Sequence, residues 1–167
     1  MEKKGSARGW IIGLSVAVGV LLFLVFMAYN PKLQAFPVWL DTKQPNINWN
    51  SPLGWFLTYI FGIDENKAPT ISAFVTFIAV WLIFFLAFGD GIEKFGFFSK
   101  WVSWMIGLAI AIILANAGFF YNLIINLMGI FSFLAGLSVI AALASVFFAM
   151  FVVHWGISQA GLWLMKR

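Results

Sequence analysis

Few side chains in this chain of 167 residues could do chemistry, and the first pair is His154 and Ser158. They are four positions apart, so on a helix they would share one face. A histidine beside a serine hydroxyl is the pattern of nucleophilic catalysis, in which the imidazole takes the hydroxyl proton. A nucleophile elbow needs a turn from a strand into a helix, whereas the apolar sequence here predicts helix. We therefore interpret His154 as a packed or interfacial residue and predict that the chain is not an enzyme.

Asp90 is the second candidate. The segment Ala87-Phe88-Gly89-Asp90 resembles the glycine-x-glycine-aspartate motif of intramembrane aspartyl proteases, with alanine in place of the first glycine. Paired-carboxylate catalysis needs a second carboxyl group to share a proton, and no second aspartate falls within a predicted span. Glycines on both sides of Asp90 are typical of a turn. We therefore predict that Asp90 is a turn residue at the end of a span.

Three asparagines, Asn116, Asn122 and Asn126, interrupt an apolar stretch. They could line a polar constriction for water or for a neutral solute. Asparagines in membrane helices also hydrogen-bond to each other or to backbone carbonyls of a neighbouring helix. The sequence leaves both interpretations open, and it predicts a short helical piece over residues 119–128.

Small residues recur at helical spacing in two places. Gly107, Ala111 and Ala115 are each four positions apart, which is typical of a helix face that another helix approaches closely. A second set follows further along the chain: Ser138, Ala141, Ala142, Ala144, Ser145 and Ala149. We predict that the third and fourth spans pack against each other through these two faces.

Composition limits the cofactors and partners that the chain could have. With no cysteine and one histidine it lacks the ligands of thiolate metal sites and of bis-histidine haem, so we predict no metal and no cofactor. The formal net charge of +4 would suit nucleic acid, but the basic residues lie beside apolar segments rather than in one patch. We expect them to contact anionic lipid headgroups, and we predict no nucleic-acid partner.

The apolar content predicts that the chain lies in a lipid bilayer. Hydrophobic residues make up 63% of it and charged residues 10%, against about 25% charged in soluble domains. Residues 101–165 would form a helix on the order of 95 Å long, roughly three times the hydrocarbon thickness, and must therefore fold back. Four spans are predicted, at 10–29, 70–89, 100–117 and 130–155. We predict an all-α fold, an integral membrane four-helix bundle forming one polytopic domain over residues 1–167.

The segment 30–69 differs in composition from the rest of the chain. It contains all five prolines together with several asparagines, which predicts an extended loop outside the membrane. Within it, Ser51 and Pro52 have the types expected at the N-cap and first position of a helix. The apolar run 53–63 that follows is too short to span a bilayer. We predict a short interfacial helix in this first extracytoplasmic loop.

Basic residues predict the orientation. With four spans, seven basic residues fall on the side of the two termini and three on the other side. The positive-inside rule therefore predicts a protein of the cell membrane with both termini in the cytoplasm. A third pass within 101–165 would leave five basic residues on each side, so the rule favours two passes there.

These observations favour a non-enzymatic function. Ion-coupled carriers place ionisable groups and helix breaks inside their spans, and the predicted spans contain no Asp, Glu, Lys or Arg away from their ends. We predict a structural or accessory subunit of a membrane assembly, with the lipid bilayer and either further copies of itself or other membrane subunits as partners. The alternative is a small pore, permease-like or holin-like oligomer that passes a neutral solute. An intramembrane enzyme ranks third.

Overall fold

The structure is a computed structural model that describes residues 7–29, 39, 43–131 and 137–164. Within these ranges the chain forms α-helices and no strand, which confirms the predicted all-α class. The helices are α1 (Ala7–Tyr29), α2 (Pro52–Phe61), α3 (Ile71–Lys94), α4 (Lys100–Asn116), α5 (Phe119–Ile130) and α6 (Ser138–Leu164). The predicted orientation depends on basic residues at the two termini, and most of these lie outside the described residues. Residues 30–38 and 40–42 of the predicted loop and residues 132–136 of the predicted fourth span also lie outside them.

Three of these helices, α1, α3 and α6, are long and apolar enough to cross a membrane. Helices α4 and α5 meet that test only together, and they are bent by 64° at the short break between them. The described part of the chain therefore contains three candidate spans, or four if the bent pair counts as one. This number agrees with the predicted helical membrane bundle.

Glycines let α1 and α6 approach closely. Gly13 of α1 lies against Gly156 and Gln159 of α6, and a Cβ atom added to Gly156 would lie 2.8 Å from the Cβ of Ala17. Gly13 contacts both Gln159 and Gly156, whereas Ala17, one turn later in α1, contacts the earlier residue Gly156. The two helices are therefore antiparallel. The start of α1 and the end of α6 therefore lie at the same end of the bundle.

Helix α3 runs parallel to α6. Gly91 of α3 faces Ile157 of α6, and further along both helices the backbone of Lys94 approaches Gly161. Since α4 returns antiparallel to α3, the four long elements α1, α3, α4 and α6 alternate in direction along the chain. Among the described residues after Lys100, α4 and α6 are the two long helices, and they run in opposite directions.

The turn predicted at Asp90 is wrong. Gly89, Asp90 and Gly91 lie inside α3, which continues to Lys94 and is followed by Gly96 at a φ of 71°. The two glycines permit close packing instead of a turn. A Cβ atom at Gly89 would lie 2.8 Å from the indole of Trp104 on α4, and one at Gly91 would lie 3.2 Å from Ile157.

The predicted packing of the third span on the fourth is also wrong. The small-residue face of α4 contacts α3, where Gly107 lies against the backbone of Gly89, and it contacts the end of α2, where Ala115 lies against Gly62. Helix α6 packs on α1 and α3 instead. Spacing identifies a face that another helix can approach, but it contains no information about which helix does so.

Helix α2 begins and ends as its residue types require. The Ser51 hydroxyl accepts a hydrogen bond of 3.2 Å from the backbone N–H of Gly54, Pro52 occupies the first turn, and Gly62 follows the helix with a φ of 64°. Four of its large apolar side chains are exposed: Leu53, Trp55, Phe56 and Tyr59. Within the structure, α2 is fixed mainly by its contact with α4.

Candidate functional site

The polar cluster is a group of four side chains between α3 and α6. Asp90 and Lys94 are four positions apart on α3, and His154 and Ser158 are four positions apart on α6. Each pair therefore lies on one helix face. Because the two helices run parallel, the faces meet with Asp90 beside His154 and Lys94 beside Ser158.

The ammonium group of Lys94 is at the centre of the cluster. Its Nζ atom lies 2.8 Å from Oδ2 of Asp90, 2.6 Å from Nε2 of His154 and 3.0 Å from Oγ of Ser158. An ammonium group has three N–H donors, so these three contacts use all of them. One lysine thereby forms an ion pair within α3 and two hydrogen bonds to α6.

Both ring nitrogens of His154 are engaged in the polar cluster. Nε2 faces the ammonium of Lys94, and Nδ1 lies 3.1 Å from Oδ2 of Asp90. With Lys94 donating as an ammonium group, Nε2 accepts, and Nδ1 has the ring proton that is donated to Asp90.

The hydrogen bonds of the Ser158 hydroxyl do not suit a nucleophile. Its hydroxyl donates to the backbone carbonyl of His154, at 2.8 Å, and accepts from Lys94. A nucleophilic serine needs its proton directed at a base, whereas here the proton points to a carbonyl of its own helix. The expected proximity of His154 and Ser158 on one face is observed, but in this geometry their hydrogen bonds hold α3 to α6.

A second polar contact connects α3 to α4 near the cluster. The indole N–H of Trp104 donates to Oε2 of Glu93 at 2.9 Å. The ring of Trp104 also packs against Phe85, with centroids 5.3 Å apart. Helix α3 is thus bonded to α6 on one side and to α4 on the other.

A groove opens over α3 because α4 and α6 both pack on that helix and leave part of it uncovered. We call it the α3 groove; its volume is about 360 Å³. Its walls are apolar except at one end, where the side chains of Asp90 and His154 face it. It is lined by Ile83, Leu86, Ala87, Asp90, Trp104, Phe147, Met150, Phe151 and His154.

The asparagines lie at the other end of the bundle from the polar cluster, and two of them bond to helix ends. The amide of buried Asn126 donates to the carbonyl of Met27, and that of Asn116 donates to the carbonyl of Tyr59 at 2.8 Å. Both carbonyls belong to the last four residues of a helix, which have no partner within their own helix. Asn116 also donates to Ile112 at 2.9 Å. Asn122 is partly buried and lies one turn after Gly118.

The remaining predicted site residues, Gly107, Ala111 and Ala115, are buried on the face of α4 already described. The sequence alone does not predict Asp90 and Lys94 as partners of His154. Their spacing of four positions on an apolar helix is the available signal, but the glycines on both sides of Asp90 indicate a turn instead.

Within the residues that the structure describes, no three side chains of the His, Cys, Asp or Glu types come close enough to hold an ion. Asp90 and His154 both contact the ammonium group of Lys94. In the comparison with known proteins, no family model, curated protein sequence or solved structure matches this chain at a significant level.

Proposed function

We propose that the chain is an integral, multi-pass protein of the cell membrane that acts as a non-enzymatic structural or accessory subunit of a membrane assembly. The observation that supports this most directly is the closed bonding of the polar cluster. All three donors of Lys94 and both ring nitrogens of His154 bond within it. The cluster then has no free base or nucleophile for a reaction, and its physical effect is to hold helices together.

The exposed surface supports placement in lipid. Phe23 and Phe26 on α1 and Phe147, Phe148 and Phe151 on α6 each expose more than half of their surface. In water such faces would favour aggregation, whereas in a bilayer they face acyl chains. We further propose that both termini are cytoplasmic, with the polar cluster at the cytoplasmic end and α2 at the opposite interface. Lys94 and Lys100 at the cluster end agree with the positive-inside rule.

The contact surface of the proposed assembly is the exposed face of α1. Helix α1 has two pairs of small residues at a spacing of four. Gly13 and Ala17 pack against α6, whereas Ser15 and Gly19 are exposed, and a Cβ atom at Gly19 would meet nothing within 4 Å. Such a spacing allows two membrane helices to approach closely. We propose that a helix of another subunit or of a second copy packs here.

The test is the mass of the particle after gentle detergent extraction from native membranes. We expect a mass well above the 18.7 kDa of one chain. Gly19→Leu is expected to reduce it to one chain plus detergent, while its matched control Val18→Leu, on an exposed neighbouring position of α1, leaves it unchanged. A wild-type protein that is a single chain in mild detergent and in nanodiscs would refute the proposal.

The pore alternative has less support. Of the three asparagines proposed to line it, Asn116, Asn122 and Asn126, the amides of Asn116 and Asn126 donate to backbone carbonyls of other helices. Groups bonded in this way are engaged with the protein and not with a passing solute. We therefore keep the subunit as the proposed function.

A further inference from the structure

The α3 groove is long enough to hold part of one acyl chain. Its floor is formed by a single stripe of α3, consisting of Ile83, Ala87 and Asp90. Seven residues of helix rise about 10 Å, and the volume of about 360 Å³ lies at the small end of the range for ligand pockets. Met150 forms an almost fully buried part of the wall, while Phe147 and Phe151 remain exposed beside it. The groove is therefore a narrow cleft that is open to the outer surface of the bundle.

The polar end of the groove has a carboxylate that is still accessible. Oδ2 of Asp90 contacts Lys94 and His154, and the side chain of Asp90 remains 38% exposed. Glu93 adds a second carboxylate one helical turn from Asp90, bonded to Trp104 in the groove wall. Two carboxylates, of Asp90 and Glu93, and two ammonium groups, of Lys94 and Lys100, lie at this end of the bundle. The carboxylate of Asp90 can accept a charge-assisted hydrogen bond from an incoming cationic donor.

The direction of the groove matches that of a lipid in the leaflet. Asp90 lies towards the end of α3 that continues into Lys94 and the loop before Lys100, where headgroups would be. Ile83 lies two turns further into the apolar helix. An amphiphile with its head at Asp90 would thus direct its chain towards the middle of the bilayer.

We propose that the α3 groove binds one acyl chain of a phosphatidylethanolamine-type lipid, whose primary ammonium donates a hydrogen bond to the carboxylate of Asp90. This binding rests on the insertion into a membrane proposed above, but it does not depend on any partner subunit. The quaternary ammonium of phosphatidylcholine has the same charge and no N–H, and the headgroup of phosphatidylglycerol has hydroxyl donors and no cation. These two lipids separate the contributions of charge and of hydrogen bonding.

The experiment is native mass spectrometry of the full chain released from nanodiscs that contain the three lipids in equal amounts with identical acyl chains. We expect retained phosphatidylethanolamine to exceed each of the others by about tenfold, the effect of one charge-assisted hydrogen bond. Asp90→Asn is expected to abolish the preference. Ala87→Phe, which fills the groove and leaves the cluster untouched, is expected to abolish retention of all three lipids. Leu82→Phe, at an exposed position of α3 outside the groove, is the matched control.

Two results would overturn the proposal. Equal retention of phosphatidylethanolamine and phosphatidylcholine, or a preference for phosphatidylglycerol, would exclude recognition by Asp90. Retention in Ala87→Phe equal to that in Leu82→Phe would exclude the groove as the site. Either result could occur with the particle mass unchanged, so failure of the lipid site and failure of the subunit proposal are distinguishable.

Discussion

Replacing Lys94 by methionine tests whether the polar cluster holds α3 to α6. Methionine keeps the aliphatic length of the side chain, so that the change removes the charge and its three contacts while retaining most of the packing. Removing one partner of a fully buried ion pair costs about 3–5 kcal/mol, and an exposed pair contributes less than about 1 kcal/mol. The side chains of Lys94 and Asp90 are 35% and 38% exposed. We therefore expect a loss of about 2 kcal/mol in the free energy of unfolding.

The loop pair Lys67 and Asp64 provides a matched control. Its side chains are 33% and 36% exposed and its ion pair is 3.2 Å long, but it does not join two helices. Lys67→Met is expected to cost about 0.5 kcal/mol. Unfolding in mixed micelles, followed by far-ultraviolet circular dichroism, gives both values. Equal losses in the two variants would refute the claim that the polar cluster is an interhelical contact.

The double variant Asp90→Asn/Lys94→Met refines the same test. In the single variant Lys94→Met, the carboxylate of Asp90 loses its counter-charge and retains only the N–H of His154. The added Asp90→Asn change removes that charge, and we expect it to restore about 1 kcal/mol of the loss. A double variant less stable than Lys94→Met would show that charge balance is not what stabilises the cluster.

The remaining predictions concern packing, the asparagines and transport. Gly156→Leu is expected to cost about 3 kcal/mol because α1 leaves no room for its side chain, whereas Gly19→Leu should leave stability unchanged; thermal unfolding compares them. Asn126→Asp should cost about 3 kcal/mol or more, since it places a carboxylate against the carbonyl of Met27. Asn126→Leu should cost about 1 kcal/mol, because it also removes a buried amide oxygen that has no partner. Proteoliposomes are expected to release glycerol no faster than protein-free vesicles, and a release that Asn122→Leu abolishes would favour a pore.

Sequence reasoning predicts the helices better than their partners. The serine and proline that begin α2 act through hydrogen bonds and dihedral angles within a few residues, so their types are sufficient to predict a helix start. The same holds for the apolar runs that become α1, α3 and α6. The stripe of Gly107, Ala111 and Ala115 predicts a close contact, but whether α3 or α6 fills it depends on the arrangement of all helices.

The polar cluster shows a different limit. Glycines such as Gly89 and Gly91 are compatible with a turn and also with the close approach of another helix. The sequence alone does not distinguish these two structures. Only the positions of Trp104 and Ile157 decide between them. If Asp90 is interpreted as a turn residue, its spacing of four positions from Lys94 does not indicate a shared helix face, and the sequence predicts no partner for His154. For Asn116 and Asn126, the structure agrees with one of the two interpretations that the sequence allows, namely hydrogen bonding to backbone carbonyls of another helix.

The central claim is that the bundle spans a membrane with its polar cluster at the cytoplasmic end. The most direct test is labelling of single cysteines, since the chain has none of its own. In intact cells, a membrane-impermeant maleimide is expected to label Asn46→Cys, in the loop before α2, and not Gly96→Cys, in the turn after α3, which should react only after permeabilisation. Labelling of Gly96→Cys with protection of Asn46→Cys would contradict the orientation, and labelling of both in intact cells would contradict the crossing of the membrane by α3.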